Sequence, residues 1–242
     1  MKIAVNGLDQ EIFYDRHGIE DLLVPLLREW IAQTRGAGRH FAFLAAPPGT
    51  GKSTIAMLLE RAVGGELQCL GIDGFHYPQE VLNARSFRGE DGQEIPLASI
   101  KGAPETFDVA GLQRLLTRSY TEDVRWPFYD RRLHDVVEGG DLVTAHHVLL
   151  EGNWLLLDEE PWSGLRRHAE RTIFIEAPSD LLQERLVSRK VAGGLSRADA
   201  EAFYLRSDGP NVERTLSGSD LDSVDLLLTM DVNGSLHERK TS

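Results

Sequence analysis

Ala45-Ala46-Pro47-Pro48-Gly49-Thr50-Gly51-Lys52-Ser53-Thr54 follows the apolar run Phe41-Ala42-Phe43-Leu44 and opens the helical pattern Ile55-Ala56-Met57-Leu58-Leu59. Strand, glycine loop and helix in that order form the setting a phosphate-binding P-loop (Walker A) requires. Backbone N–H groups of the loop and of the helix N-terminus lack intrahelical partners, so they can bind phosphate oxygens. Lys52 would reach the β- and γ-phosphates, and the Ser53 hydroxyl would ligate Mg²⁺. Pro48, Gly49, Thr50, Gly51, Lys52, Ser53 and Thr54 are the expected nucleotide contacts. One position departs from the pattern: Ala46 stands where the first Gly is usual. A single added methyl is expected to leave the loop intact. A plain Gly/Pro turn between strand and helix is the alternative reading.

Other apolar runs end in acids. Leu67-Gln68-Cys69-Leu70-Gly71-Ile72-Asp73 follows the P-loop helix, and His147-Val148-Leu149-Leu150-Glu151 comes later. Arg171-Thr172-Ile173-Phe174-Ile175-Glu176 and Asp225-Leu226-Leu227-Leu228-Thr229-Met230 read as further strands. Strands alternating with helices imply an α/β fold with a parallel sheet and right-handed crossovers. Ligands in such sheets sit beyond the carboxyl ends of the strands, so the P-loop and Asp73 can face one crevice. A carboxylate beside a γ-phosphate can take the proton of an attacking hydroxyl, the role expected of Asp73. Glu151 reads as the acid of a Walker B strand, holding Mg²⁺ directly or through water. For both acids, a helix- or turn-capping role is the structural alternative.

Bulk properties narrow the class. A chain of 242 residues with 41% hydrophobic and 26% charged content is an ordinary globule with room for a substantial core. The formal net charge of −12, with no block of Lys and Arg, argues against nucleic acid as a partner. A P-loop remains a local positive site for an anionic nucleotide. The single cysteine, Cys69, excludes a disulfide framework within the chain and agrees with a reducing cytoplasm. No signal-peptide pattern opens the sequence, and no apolar run is long enough to span a bilayer.

Residues 1–38 read as an N-terminal segment packed on a P-loop domain of residues 39–242. The segment starts as a hairpin, with Met1 to Val5, an Asn6-Gly7 turn, and a return at Glu11-Ile12-Phe13-Tyr14. The hairpin can serve as an edge strand or as a homodimer contact. An amphipathic helix follows, with Leu22, Leu23, Leu26, Leu27, Trp30 and Ile31 on one stripe and Pro25 at a first turn or kink. Residues 86–99 read as a surface insertion, and Leu112, Leu115 and Leu116 mark a helix over 108–119. Trp126-Pro127-Phe128-Tyr129-Asp130-Arg131-Arg132 can build a pocket for a polar small molecule or pack as core. His134, His146, His147 and His168 read as surface or packing residues rather than metal ligands. A helix capped by Ser179 or Asp180 carries Arg185 and Arg189 on one face. Gly193-Gly194 breaks it, and Ser196 with Asp199 starts another. Two helices on a glycine hinge would suit an Arg-bearing lid over about 185–211, closing on nucleotide. Ser207 to Asn211 reads as a turn cluster, and the polar tail after Asn233 as frayed.

Taken together, these stretches resemble the P-loop kinase group of uridine kinase, phosphoribulokinase and bacterial type I pantothenate kinase. The resemblance covers most of residues 39–231. It rests on Pro47 to Thr54, Asp73-Gly74-Phe75, Lys101-Gly102-Ala103-Pro104-Glu105-Thr106-Phe107-Asp108, Glu151-Gly152-Asn153 and Ser207-Asp208-Gly209-Pro210-Asn211. With Trp154 to Leu157 added, the match is closer to bacterial members labelled fructokinase or nucleoside/nucleotide kinase. The resemblance implies a five-stranded parallel sheet between helices and a lid. It implies Lys52 and Ser53 at ATP·Mg²⁺, Asp73 as base, Glu151 near the metal and Arg189 in the lid; Arg185, on the same helix face as Arg189, is a further expected nucleotide contact. The acceptor region, about 74–135, carries the departures: His76-Tyr77 after Asp-Gly-Phe, and the 86–99 insertion.

The expected activity is ATP-dependent phosphoryl transfer to a hydroxyl of a small polar metabolite. A sugar ranks first, then a nucleoside, then pantothenate. His76, Tyr77, Lys101, Tyr129, Asp130, Arg131 and Asn153 are the expected acceptor contacts. The rival is a nucleotide-dependent regulatory ATPase or switch, which needs no acceptor pocket.

Overall fold

Phe41 and Phe43 bury on one side of the strand His40–Ala45, and Ala42 and Leu44 on the other. A strand buried on both faces belongs inside a sheet covered twice. The computed structural model, which describes residues 2–5, 8–11, 15–89, 91–130 and 132–239, contains that sheet. Its strands are β1 (His40–Ala45), β2 (Leu67–Gly71), β3 (His147–Gly152), β4 (Arg171–Glu176), β5 (Leu226–Met230) and β6 (Leu236–Glu238). Their spatial order is β6-β5-β4-β1-β3-β2. Strands β1 to β5 pair in parallel, giving the five expected, and β6 adds an antiparallel edge beside β5.

The helices are α1 (Val24–Gln33), α2 (Lys52–Val63), α3 (Gln79–Ala84), α4 (Val109–Ser119), α5 (Ser179–Ala192), α6 (Arg197–Phe203) and α7 (Gly209–Gly218). One core joins Leu27 and Trp30 of α1, Leu59 of α2, and Leu182 and Leu186 of α5 to one sheet face. The other joins Leu112 and Leu116 of α4, Trp154 and Trp162 to the opposite face. Pro25 lies in the first turn of α1. A wider π-helical turn, His17–Leu23, precedes it. The insertion forms an exposed hairpin in which Ser86–Arg88 pairs with Glu94–Pro96.

Four local expectations change. The return strand of the N-terminal hairpin is Leu8–Glu11, because a two-residue connection pairs Val5 directly with Leu8. The Asn6-Gly7 turn and residues 12–14 lie outside the described residues. Neither Ser179 nor Asp180 caps α5. The helix follows Pro178 with no side-chain cap, and Asp180 accepts from the N–H of its own neighbour, Leu181. Ser196, by contrast, does cap α6 by accepting from the Asp199 N–H.

Residues 207–211 form helix rather than a turn cluster. A π-helical turn, Tyr204–Asp208, runs straight into α7. The Gly209 N–H donates to the Tyr204 carbonyl in the wider turn, and Pro210, which has no N–H to give, follows it. The tail from Gly234 to Arg239 is likewise ordered. Asp231 Oδ1 accepts from the N–H groups of Asn233 and Ser235, which turns the chain back. Leu236 is then 1% exposed in the core, and Arg239 donates to both carboxylate oxygens of Glu176 at 2.8 and 2.7 Å.

Candidate active site

Parallel register aligns the carboxyl ends of the central strands. Glu151 stands level with Leu44 of β1 and Gly71 of β2. The loop after β1 therefore opens beside the end of β3. Gly49 and Gly51 take φ of 87° and 94°, backbone states that only glycine adopts without strain. Ala46 fills the core beneath the loop and is fully buried. Gly51 then leads into α2, whose first residue is Lys52.

Lys52 is 7% exposed, and its Nζ donates to the Pro47 carbonyl at 3.1 Å and to Asn153 Oδ1. Burial lowers its pKa from 10.5 to about 8, against the opposing pull of the Glu151 and Asp73 carboxylates. Ser53 Oγ donates to Glu151 Oε1 at 2.6 Å. A hydroxyl and a carboxylate side by side at a phosphate cradle are hard oxygen donors of the kind Mg²⁺ takes. Among the described residues no group of three or more His, Cys, Asp and Glu is arranged to hold a metal ion.

Asp73 begins a 3₁₀ turn, Asp73–Phe75, just past β2. The turn is fixed at both ends: Ile72 N–H donates to the Glu151 carbonyl, and Asp108 N–H to the Phe75 carbonyl. Gly74 allows the closest approach, since a Cβ there would lie 2.2 Å from the Pro127 carbonyl oxygen. Asp73 lines two cavities at once. The larger, about 1190 Å³, is bounded by the P-loop, by Arg185 and Arg189 of α5, and by His76, Lys101, Tyr129 and Asn153. The smaller, about 390 Å³, holds Trp126, Tyr129, Asp130 and Arg132. Ser53, Asp73, Tyr129 and Glu151 face both.

The expected acceptor contacts are thus divided. His76, Lys101, Tyr129 and Asn153 share the larger cavity with Lys52. His76 stacks on Phe107 at 3.8 Å between centroids, and burial holds its pKa below the usual value, so the ring is neutral at pH 7. Asp130 lines the smaller cavity, and its carboxylate accepts from the N–H groups of Arg132 and Leu133. Tyr77 lines neither cavity; its ring lies beneath the Arg85 guanidinium. Arg131 lies outside the described residues. Among the loop residues, Thr50 turns its hydroxyl inward onto the Pro47 carbonyl.

Helix α5 packs onto the P-loop. A Cβ on Gly49 would meet Leu186 at 3.1 Å. Arg185 Nη1 donates to the Gly49 and Thr50 carbonyls at 3.4 Å and contacts Met230 Sδ at 3.1 Å, and burial lowers its pKa. It braces the loop at these carbonyls while lining the larger cavity, and Arg189 sits in the field of Lys52. Arg197 of α6 pairs with Glu184 of α5 at 2.7 Å, clamping the two helices across the Gly193-Gly194 break.

Sequence reasoning gave no role to Lys190, Phe203, Asp208 and Asn211, which also line the larger cavity. Lys190 Nζ lies 3.5 Å from the Phe203 ring centroid and 3.5 Å from Asp208 Oδ2. Asp208 and Asn211 stood in the last stretch of the resemblance, which was the available signal. His134, expected at the surface or in packing, is exposed and borders this cavity, with a positive φ of 54°. His147 does pack, against Trp30 and His40, and His168 meets the Tyr120 hydroxyl. No described helix is long and apolar enough to cross a membrane.

Comparison with known proteins places this geometry. No family model matches the chain. The uncharacterized protein YggC of Escherichia coli (strain K12) is 44% identical, over 98% of each chain. A Schizosaccharomyces pombe protein named "putative uridine kinase C227.14" is 27% identical, with 76% of this chain and 80% of that protein covered. Among solved structures, the "putative fructose transport system kinase" from Silicibacter sp. TM1040 superposes with a TM-score of 0.75 at 30% identity, covering 85% of this chain and 98% of that one.

Proposed function

The chain belongs to the P-loop small-molecule kinases, and from that premise we propose that it transfers the γ-phosphoryl group of ATP to a hydroxyl of a sugar. The observation that carries this reading is the shared cavity. Lys52, Ser53, Glu151 and Asp73 border the same space as His76, Lys101 and Tyr129, so a triphosphate and a second polar molecule can meet there. The name of the Silicibacter relative, which mentions fructose, supports a sugar as acceptor.

The chemistry follows from where the side chains stand. The loop amides and Lys52 hold the triphosphate tail. The acceptor oxygen bonds to the γ-phosphorus as the bridging bond to the β-phosphate breaks, and ADP leaves. The hydroxyl proton passes to the Asp73 carboxylate. Lys52 and Arg189 offset charge growing on the transferred group and the leaving oxygens. Ser53 and Glu151 would hold Mg²⁺, which when bound neutralises phosphate charge. His76 and the Asn153 amide offer hydrogen bonds to the hydroxyl groups of a sugar.

The test is Asp73→Asn, assayed by ADP release with and without a panel of sugars. The expected outcome is acceptor-dependent ADP release in the wild type, falling by about 10²- to 10⁴-fold in the variant while nucleotide affinity stays within a few-fold. Normal turnover in Asp73→Asn would remove the base assignment. ADP release that ignores every acceptor would favour the regulatory ATPase.

A further inference from the structure

Lys101 opens the stretch Lys101 to Asp108 and lines the larger cavity that the P-loop also borders. Its surroundings are unusual for an ammonium. Nζ donates to Gln79 Oε1 at 2.8 Å and to the His134 carbonyl at 2.9 Å, and it lies 4.9 Å from the centroid of the Tyr129 ring. All three partners are uncharged, and among the described residues Lys101 makes no ion pair. An ammonium has three N–H donors, so one is left over, and its charge is unmatched.

The position is built rather than incidental. His134 offers its carbonyl from the left-handed region, at φ 54°, a conformation uncommon outside glycine. Gly102 follows Lys101 with φ 105°; its N–H donates to Thr106 Oγ1 and its carbonyl accepts from Trp154 Nε1. Backbone strain on one side and a pinned glycine on the other hold one cation at a cavity wall.

We propose that Lys101 binds an anionic group of the acceptor, a phosphate or a carboxylate, so that the substrate is a sugar phosphate or a sugar acid. A charged donor of this kind has little to gain from a neutral polyol, which Gln79 or a water would satisfy as well. The inference rests on the reading of the larger cavity as the site of transfer, and it narrows the acceptor's chemistry.

The test begins with a probe that needs no knowledge of the acceptor. The protein is loaded with Mg²⁺ and the non-hydrolysable β,γ-imido analogue of ATP, which occupies the P-loop, and inorganic phosphate is titrated in by calorimetry. Phosphate should bind the wild type, and Lys101→Met should weaken it by about ten- to a hundredfold, with Lys101→Arg restoring part of the loss. No binding to the loaded wild type, or equal binding to Lys101→Met, overturns the proposal. A melting curve of Lys101→Met checks that the fold survives.

The second arm compares matched acceptors: fructose against its 1- and 6-phosphates, and erythritol against erythronate. The anionic member should have the higher kcat/KM, and Lys101→Met should erase the preference through KM. Turnover of neutral sugars with no effect of Lys101→Met would overturn this proposal and leave the sugar reading standing. Phosphate binding lost in Lys101→Met, together with turnover only of non-sugar acids, would uphold the Lys101 site and overturn the sugar reading.

Discussion

Ser53 Oγ donates to Glu151 Oε1 at 2.6 Å across 98 residues of sequence. The first residue comes from the start of α2 and the second from the end of β3, so the contact exists only when β1 and β3 are paired in register. It sets side by side the two oxygen donors proposed above to hold Mg²⁺. Glu151→Gln keeps the accepting oxygen and the shape but loses the charge. Thermal stability should change little, while turnover falls by about a hundredfold and the Mg²⁺ dependence moves to higher concentration. Melting curves and a Mg²⁺ titration of the initial rate would check this. An unchanged Mg²⁺ requirement would dissociate Glu151 from the metal.

Gly74 is the second pressure point. A methyl there would collide with the Pro127 carbonyl and the Phe128 amide at 2.2 and 2.6 Å, both backbone atoms. Gly74→Ala must therefore push the Asp73 turn away from the strand that carries Tyr129. The expected outcome is a fall in melting temperature together with loss of most turnover, while nucleotide still binds. An overpacked site of this kind costs about 1–3 kcal/mol. Wild-type kcat in a stably folded Gly74→Ala would show that the placement of Asp73 tolerates movement.

These two contacts explain how much the sequence disclosed. The P-loop, the acids at the strand ends and the helix faces are local patterns, set by loop chemistry and by periodicities of 2 and 3.6. They sufficed for the parallel sheet and for the grouping of Lys52, Ser53, Asp73 and Glu151 around one cavity. The order of residues 234–239 is not legible locally because it comes from distant partners. Leu236 N–H donates to Asp15 Oδ2 at 2.7 Å, and Arg239 reaches Glu176. The contact between Lys190 and Asp208 is not legible for the same reason, since it joins α5 to the π-helical turn before α7. Tyr77 and Asp130 carry side chains suited to an acceptor site, yet the local backbone turns one toward Arg85 and the other onto its own loop.

The tail supplies a stability prediction. Leu236 is 1% exposed and belongs to the core that includes Ile19 and Leu23. Leu236→Ala should destabilise the protein by about 2–5 kcal/mol, as other buried Leu to Ala changes do, with kcat unchanged at temperatures where the variant is folded. Denaturant unfolding would measure the loss. A cost near zero would mean that β6 contributes nothing to the sheet edge.

Lys52 makes the pH dependence specific. Its pKa in the free protein is lowered to about 8, chiefly by burial. Folding therefore carries the penalty of a buried charge below pH 8. That penalty is relieved as pH rises from about 8 toward the unfolded value near 10.5, because the unfolded chain then binds the extra proton. Nucleotide works in the opposite sense. Phosphate oxygens favour the charged ammonium, so above pH 8 binding must take up a proton, and affinity should fall by up to about tenfold per pH unit. The melting temperature without nucleotide should therefore hold or rise between pH 7.5 and 9.5 relative to Lys52→Met, while the increment contributed by ATP shrinks. Measuring both increments in wild type and Lys52→Met isolates this one group from every other titration in the chain. An ATP increment that stays constant across that range in the wild type would place the Lys52 proton elsewhere and remove the desolvated ammonium from the account of nucleotide binding.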